Sequence, residues 1–348
     1  MKPISNKHTV VAFMIYLLWV IGFAFYNYQH EKQNLYDSID QQLELAALTA
    51  PLLLPKNLHH QGMSVDDLTV EQDYQNKEVL FVDNASSDGS LEAVKSTWPD
   101  LKYIETGINL GCPEGRNVGA SEATGELLLF LENDGVWGSN DVVSGIVEKF
   151  LENSTLGALY TRVEGYQSRE PDPPLDKTVG INESEGLYLS SSFRGGASAI
   201  RRELFNAVGQ FPSDFVRQYE ERYVSLLIYQ MDYQVAYWPE KVLLHKGSDY
   251  QGKSSAVIKY NCINELKTIR RVYPLFLWPL YFLLKTMLWG FRLFKNKQAN
   301  LFFEAMALVW TNADFYSPIG RISFKTLCKT QSIRYGKIKL SLENYKYK

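Results

Sequence analysis

A chain of 348 residues that is 45% hydrophobic and carries 22 Tyr, 18 Phe and 7 Trp can bury a sizeable core or face a membrane. Its net charge of −3 argues against a mainly nucleic-acid-binding protein, because no excess of Lys and Arg is left to cover phosphates. Cys112, Cys262 and Cys328 are odd in number and lack metal-ligand spacing, which excludes a paired disulfide framework.

In chain order, the first predicted element is TVVAFMIYLLWVIGFAFYNY, Thr9 to Tyr28. It has no charged residue and the length of one bilayer crossing. No small-residue cleavage site follows, so residues 1–28 are expected to form an uncleaved membrane anchor. Leu35, Ile39, Leu43 and Ala47 then repeat at four-residue spacing, the pattern of an amphipathic helix, which Pro51 and Pro55 end. Residues 29–77 read as a helical and polar linker, similar in pattern to the membrane-proximal start of a bacterial extracytoplasmic sensor.

From Glu78 the pattern changes to alternating strands and helices. Strands are predicted near 78–83, 101–105, 126–131 and 157–162, with helices near 89–97, 114–123 and 140–152. That alternation predicts an α/β fold with a mostly parallel sheet over residues 78–273. Glu220 and Glu221 open a further helix with Val224, Leu227, Ile228 and Met231 on one face, and a strand pair, YQVAYW and KVLLH, follows. The last part, 274–348, starts with an apolar run to residue 294 that Pro279, Lys285 and Arg292 interrupt. Basic Arg270, Arg271, Lys295 and Lys297 flank this run, a composition suited to interfacial helices at a membrane surface.

The residues able to do chemistry cluster at predicted strand ends. Asp83 and Asn84 stand where an apolar strand breaks into ASSDGS, with Asp88 five residues on. A carboxylate there can accept the hydrogens of a nucleotide base; for Asp88, capping of the next helix competes. Asn109, Gly111, Gly115, Arg116, Asn117 and Gly119 form a Gly-rich turn in which Arg116 can pair with phosphate or brace acids. Glu132, Asn133 and Asp134 close the strand GELLLFL, and the alternation of a strand points both carboxylates the same way, toward one cation. Glu220 and Glu221 suit a helix N-terminus electrostatically, or a catalytic role. His245 is the only histidine after residue 60 and ends a strand, as a metal ligand or a structural residue.

In this order the segments VDNASSDGS, NLGCPEGRNVG, LENDG, RGGASAIRRELFNAVGQF, YEERYVSLL and LLHKGS resemble the inverting family 2 glycosyltransferases of GT-A fold. The segment NCINELKTIRRVYP before the apolar run is similar to the rhamnosyltransferase-like bacterial members. The resemblance covers residues 78 to 273. Glu132 and Glu221 stand where many members have Asp, and nothing in residues 29–77 reads as the strand–turn–helix that opens the family's domain.

The resemblance implies a GT-A-like nucleotide-diphospho-sugar transferase. Glu221 would be the general base, with Glu220 assisting, and Glu132, Asp134 and His245 would hold Mn²⁺ or Mg²⁺. Asp83, Asn84, Asp88, Gly111, Arg116, Asn117 and Asn133 would bind a UDP-, dTDP- or GDP-linked sugar, and a glycan or lipid-linked acceptor would receive it. Such a protein works at the bacterial cytoplasmic membrane with its catalytic part on the cytosolic face, although Lys2 and Lys7 before the anchor favour the opposite orientation. The alternative is a non-catalytic membrane protein, a degenerate transferase domain fused to a sensor-like anchor.

Overall fold

The structure, a computed structural model, describes residues 74–173, 175–176, 185–246, 255–311 and 317–335. The expected anchor and nearly all of the sensor-like linker, including the expected lack of an opening strand, lie outside the described residues.

Strands β1 (Leu80–Asp83) and β2 (Lys102–Glu105) form a parallel pair joined through helix α1 (Ser90–Thr97). Helix α2 (Cys112–Glu122) packs on β1, with Val82 filling the space beside Gly119. A larger sheet has the order β3 (Leu127–Leu131), β7 (Ala197–Arg201), β5 (Leu156–Gly165), β8 (Gln234–His245) and β4 (Gly135–Trp137), with β6 (Tyr188–Leu189) also on β8. Helix α3 (Val142–Glu152) covers it through Val142, Ile146 and Phe150, four apart on one face, with Val143 three before Ile146 beside them.

The α/β class is as expected, but the sheet is mixed rather than mostly parallel. Only β1 with β2 and β5 with β8 run parallel, and β7 is antiparallel to both of its neighbours. Between β5 and β7 the described residues form no crossover helix, and β7 enters the sheet in the reverse direction. Among the described residues β1 pairs only with β2, and β3 only with β7. Glu78, just before β1, accepts from the backbone N–H groups of Thr124 and Gly125 just before β3. The two sheets are thus tied at one end.

The expected strand pair YQVAYW and KVLLH is one strand, β8, of twelve residues. Opposite it the register jumps: Thr161 faces Trp238 and Arg162 faces Val242, so Pro239, Glu240 and Lys241 bulge out. Proline has no N–H to give to the ladder, and a bulge accommodates it without ending the strand.

Helices α4 (Arg202–Ala207) and α5 (Glu220–Gln230) lie against this sheet. Val224, Leu227 and Ile228 are buried as expected, whereas Met231 lies just beyond the helix and is 39% exposed. Phe205 and Phe211 pack edge to face in the core with ring centroids 5.0 Å apart, and Phe130 tilts against both at 5.6 Å. Helix α6 (Ser255–Val272) leads into the apolar run, which folds as one helix, α7 (Trp278–Lys295), with Pro279 in its first turn where no N–H is needed. Helices α8 (Ala299–Val309) and α9 (Phe324–Arg334) follow, and α9 returns to the main core through Leu327 and Ile333. No helix among the described residues is long and apolar enough to cross a membrane.

Candidate active site

Strand register builds the site. Leu131 at the end of β3 faces Ala197 of β7, so the next residue, Glu132, emerges beside Gly196. Gly135 faces His245 across β4 and β8, which brings the imidazole to Asp134. His245 Nε2 lies 3.2 Å from Glu132 Oε2 and 3.2 Å from Asp134 Oδ1. One ligand atom from each of the three residues falls within 4.8 Å of the others. Two carboxylates and an imidazole are donors that Mn²⁺ accepts, whereas Mg²⁺, which prefers oxygen, would draw on the two carboxylates. Their spacing therefore fits the expected cation.

Charge balance in this cluster is tight. The hydrogen bonds to Asp134 and Glu132 raise the His245 imidazole to about 10. Burial alone would raise the Glu132 carboxyl, but bonds from His245 and Arg116 bring it down to about 2. Arg116 reaches Glu132 Oε1 at 2.6 Å and Glu220 Oε1 at 3.3 Å, joining the strand-end acids to the start of α5.

Glu220 is 3% exposed and its Oε2 has no hydrogen-bond partner. Burial, then the neighbouring Glu221, raises its carboxyl well above the carboxylate range. Burial likewise raises Glu221, against the pull of Arg116; Glu221 Oε1 accepts the Gly195 N–H at 3.1 Å. A methyl group on Gly195 would stand 2.5 Å from Arg116 Nη1 and 2.6 Å from Glu221 Oε1; one on Gly196 would stand 2.5 Å from Glu132 Cδ. The two glycines let the β7 backbone lie directly against the acids.

A strained turn sets the acid pair. Gln218 and Tyr219 both have positive φ, 70° and 75°, which non-glycine residues seldom adopt. Buried Asn264 on α6 donates to the carbonyls of Arg217 and Gln218, at 2.8 and 2.7 Å, and holds that turn. Asn264, Gly195 and Gly196 were not singled out by sequence reasoning. The Gly-Gly doublet was a visible signal, whereas Asn264 in a helical stretch gave none.

The remaining expected residues divide differently. Asp83 is buried and accepts from the Ser86 N–H within its own turn. Asp88 accepts from the Ser90 N–H at 3.0 Å and its hydroxyl at 2.6 Å, closing the turn that leads into α1, whose N-cap is Gly89; those bonds hold its carboxyl low although burial works against them. Asn84 spans the Gly-rich turn, accepting from the Leu110 N–H and donating to the Gly111 carbonyl. Gly111 takes φ 83°, and a side chain there would meet the Val216 carbonyl at 2.8 Å. Asn117 corrects the expectation of a ligand contact: its amide donates to Glu114 and the Phe211 carbonyl and accepts from the Phe211 N–H, so it clamps α2 to the segment after α4. Asn133 is exposed beside the cluster.

Fold and site together define an α/β protein with an acid- and histidine-lined centre at strand ends. Residues 66–209 match the family described as Glycosyl transferase family 2. Among curated relatives, poly-beta-1,6-N-acetyl-D-glucosamine synthase of Staphylococcus epidermidis is 24% identical over 243 residues, 64% of this chain and 56% of the relative. Glycosyltransferase GlyA of Streptococcus pneumoniae is 26% identical over 125 residues, 35% of this chain and 15% of the relative. The chain thus spans about half the length of the first of these and less of the second. Two solved structures are loosely similar. Mannosyltransferase PcManGT from Pyrobaculum calidifontis, in complex with GDP-Man and Mn²⁺, has a TM-score of 0.45 at 20% identity, covering 76% of this chain and 72% of that one. GalNAc-T7 with UDP, GalNAc and Mn²⁺ has a TM-score of 0.44 at 18% identity, covering 59% and 43%.

Proposed function

We propose that the chain is a metal-dependent glycosyltransferase that moves a sugar from a UDP-, dTDP- or GDP-linked donor to a hydroxyl of a glycan or lipid-linked acceptor, with inversion. The observation that carries this reading is the convergence of Glu132, Asp134 and His245 with Glu220 and Glu221 around Arg116.

Glu221 takes the proton of the acceptor hydroxyl as its oxygen forms the new bond to the anomeric carbon and the bond to the diphosphate oxygen breaks. Burial raises the Glu221 carboxyl, and Glu221 is more accessible than Glu220. The Gly195 N–H fixes the orientation of Glu221, and Glu220 holds Arg116 in place beside it. Glu132, Asp134 and His245 would hold a divalent cation, which neutralises charge on the departing diphosphate. The β1 turn and the Asn84-braced loop form the base-binding side.

Calorimetric titration of UDP, dTDP and GDP into the full-length protein, with and without Mn²⁺, tests the proposal. Metal-dependent binding of at least one nucleotide is expected, and Asp134→Asn should lose the metal dependence together with activity. Absence of binding by all three nucleotides would favour a non-catalytic, degenerate domain instead.

A further inference from the structure

Helix α7 presents an apolar face that the rest of the described chain leaves uncovered. Leu280, Leu284, Met287, Phe291 and Phe294 follow one another at steps of four and three, and each is between 50% and 71% exposed. On the opposite side Leu293 is fully buried, and Phe282 and Trp289 pack into the core that α6 and α8 share. So long a stripe of large side chains exceeds what a monomeric soluble surface ordinarily leaves bare.

Charge identifies the occupant. From Leu266 to Phe303 the chain has no Asp or Glu, and seven Lys or Arg. Lys267 and Arg271 pair with Asp214, Lys285 pairs with Glu265, and Arg270 lies over the Trp310 ring. Arg292, Lys295 and Lys297 are exposed at the C-terminal rim of the stripe. A second copy docked face to face, in either direction, offers these cations no acid from this stretch. The phosphates of an anionic bilayer surface meet them directly. The helix is not apolar enough all round to cross, and a one-sided helix with a basic rim lies in the plane of the interface.

We propose that α7 docks on an anionic bilayer, its Leu280–Phe294 face in the head-group layer and its basic rim on lipid phosphates. This proposal is independent of the chemistry proposed for the acids, but the fold connects the two. Glu265 of α6 accepts from Lys285 at 2.7 Å and from Trp289 at 2.9 Å, both on α7. It also accepts from the Tyr219 hydroxyl at 3.2 Å, one residue before Glu220. The docked helix would therefore set the height of the acid pair above the membrane.

A photoreactive benzoylphenylalanine placed at Leu284 or at Phe291 in the full-length protein, reconstituted with phosphatidylcholine and phosphatidylglycerol vesicles, tests this without depending on overall membrane attachment. Both sites are exposed, so the bulky side chain costs the fold little. Lipid adducts are expected at both positions, and none at the control Leu151, which is 81% exposed on α3. Reversing Arg292, Lys295 and Lys297 to Glu should cut the adduct yield, by about fivefold for each charge that faces the surface. Adducts to a second copy, adducts to residues 1–73 of the same chain, or no adduct at either position would overturn docking on lipid. Equal yields in pure phosphatidylcholine would overturn the role of the basic rim.

Discussion

Arg116 and Glu220 meet at 3.3 Å although 104 residues separate them in the chain. Through this contact, and the 2.6 Å contact of Arg116 with Glu132, one guanidinium connects the Glu132–Asp134–His245 cluster to the acid pair that opens α5. The positive charge helps keep Glu132 ionised against burial, and the acids in turn make a buried arginine tolerable. The site behaves as one electrostatic unit, and substitutions in it should show that coupling.

Replacement of the proposed base is the direct test of its role. Glu221→Gln keeps the hydrogen-bonding shape and removes the proton acceptor. Transfer should fall by about 10² to 10⁴-fold while donor affinity is retained. Initial rates together with donor titration check this, and unchanged turnover would refute the assignment.

Stability should depend on pH through Glu220. Its carboxyl moves from an ordinary 4.5 to about 8, because of burial and then the Glu221 charge. The folded chain therefore binds this proton more tightly than the unfolded chain, and stability falls as pH rises between those values. The favourable contribution is complete below about 4.5 and lost above about 8. Glu220→Gln imitates the protonated form, so its stability relative to the parent should improve steadily from about pH 5 to about pH 9. Thermal unfolding of both proteins across that range measures the difference; a constant gap would contradict it.

Gly196→Ala probes the close approach of β7. The added methyl would lie 2.5 Å from Glu132 Cδ, and Glu132 cannot swing away without releasing Arg116 or His245. Mn²⁺ affinity should weaken by about 10 to 100-fold, the usual cost of disturbing what orients a ligand. Electron paramagnetic resonance of Mn²⁺ reads the affinity, and circular dichroism should show the fold retained.

Asp214 is the counter-ion of a buried cluster. It accepts both Arg271 nitrogens at 2.8 Å and Lys267 Nζ at 2.7 Å, with the two basic side chains 1% and 4% exposed. Asp214→Ala would strand two buried cations and should cost about 3–5 kcal/mol. Urea unfolding gives the value, and a loss below about 1 kcal/mol, the worth of an exposed pair, would show the cluster to be well solvated.

Local chemistry already determined most elements and the metal-type cluster. The run Leu127–Leu131 is apolar and bounded by polar turns, so it reads as a strand, and the alternation after it places Glu132 and Asp134 on one side. Asp88 followed by Ser90 marks a helix start by its own hydrogen-bonding chemistry. These are effects within a few residues, and a sequence carries them openly. What only the tertiary structure decided are the pairings across distance. Asn117 looked like part of a ligand loop but spends its amide on Phe211, 94 residues away. Asn264 has no local signal, yet it restrains the turn before Glu220 from another helix. The reversed direction of β7 made the sheet mixed, and its register against β3 set Gly196 beside Glu132. Periodicity tells which face of an element is buried, but not which element lies opposite; that is settled when the layers pack together.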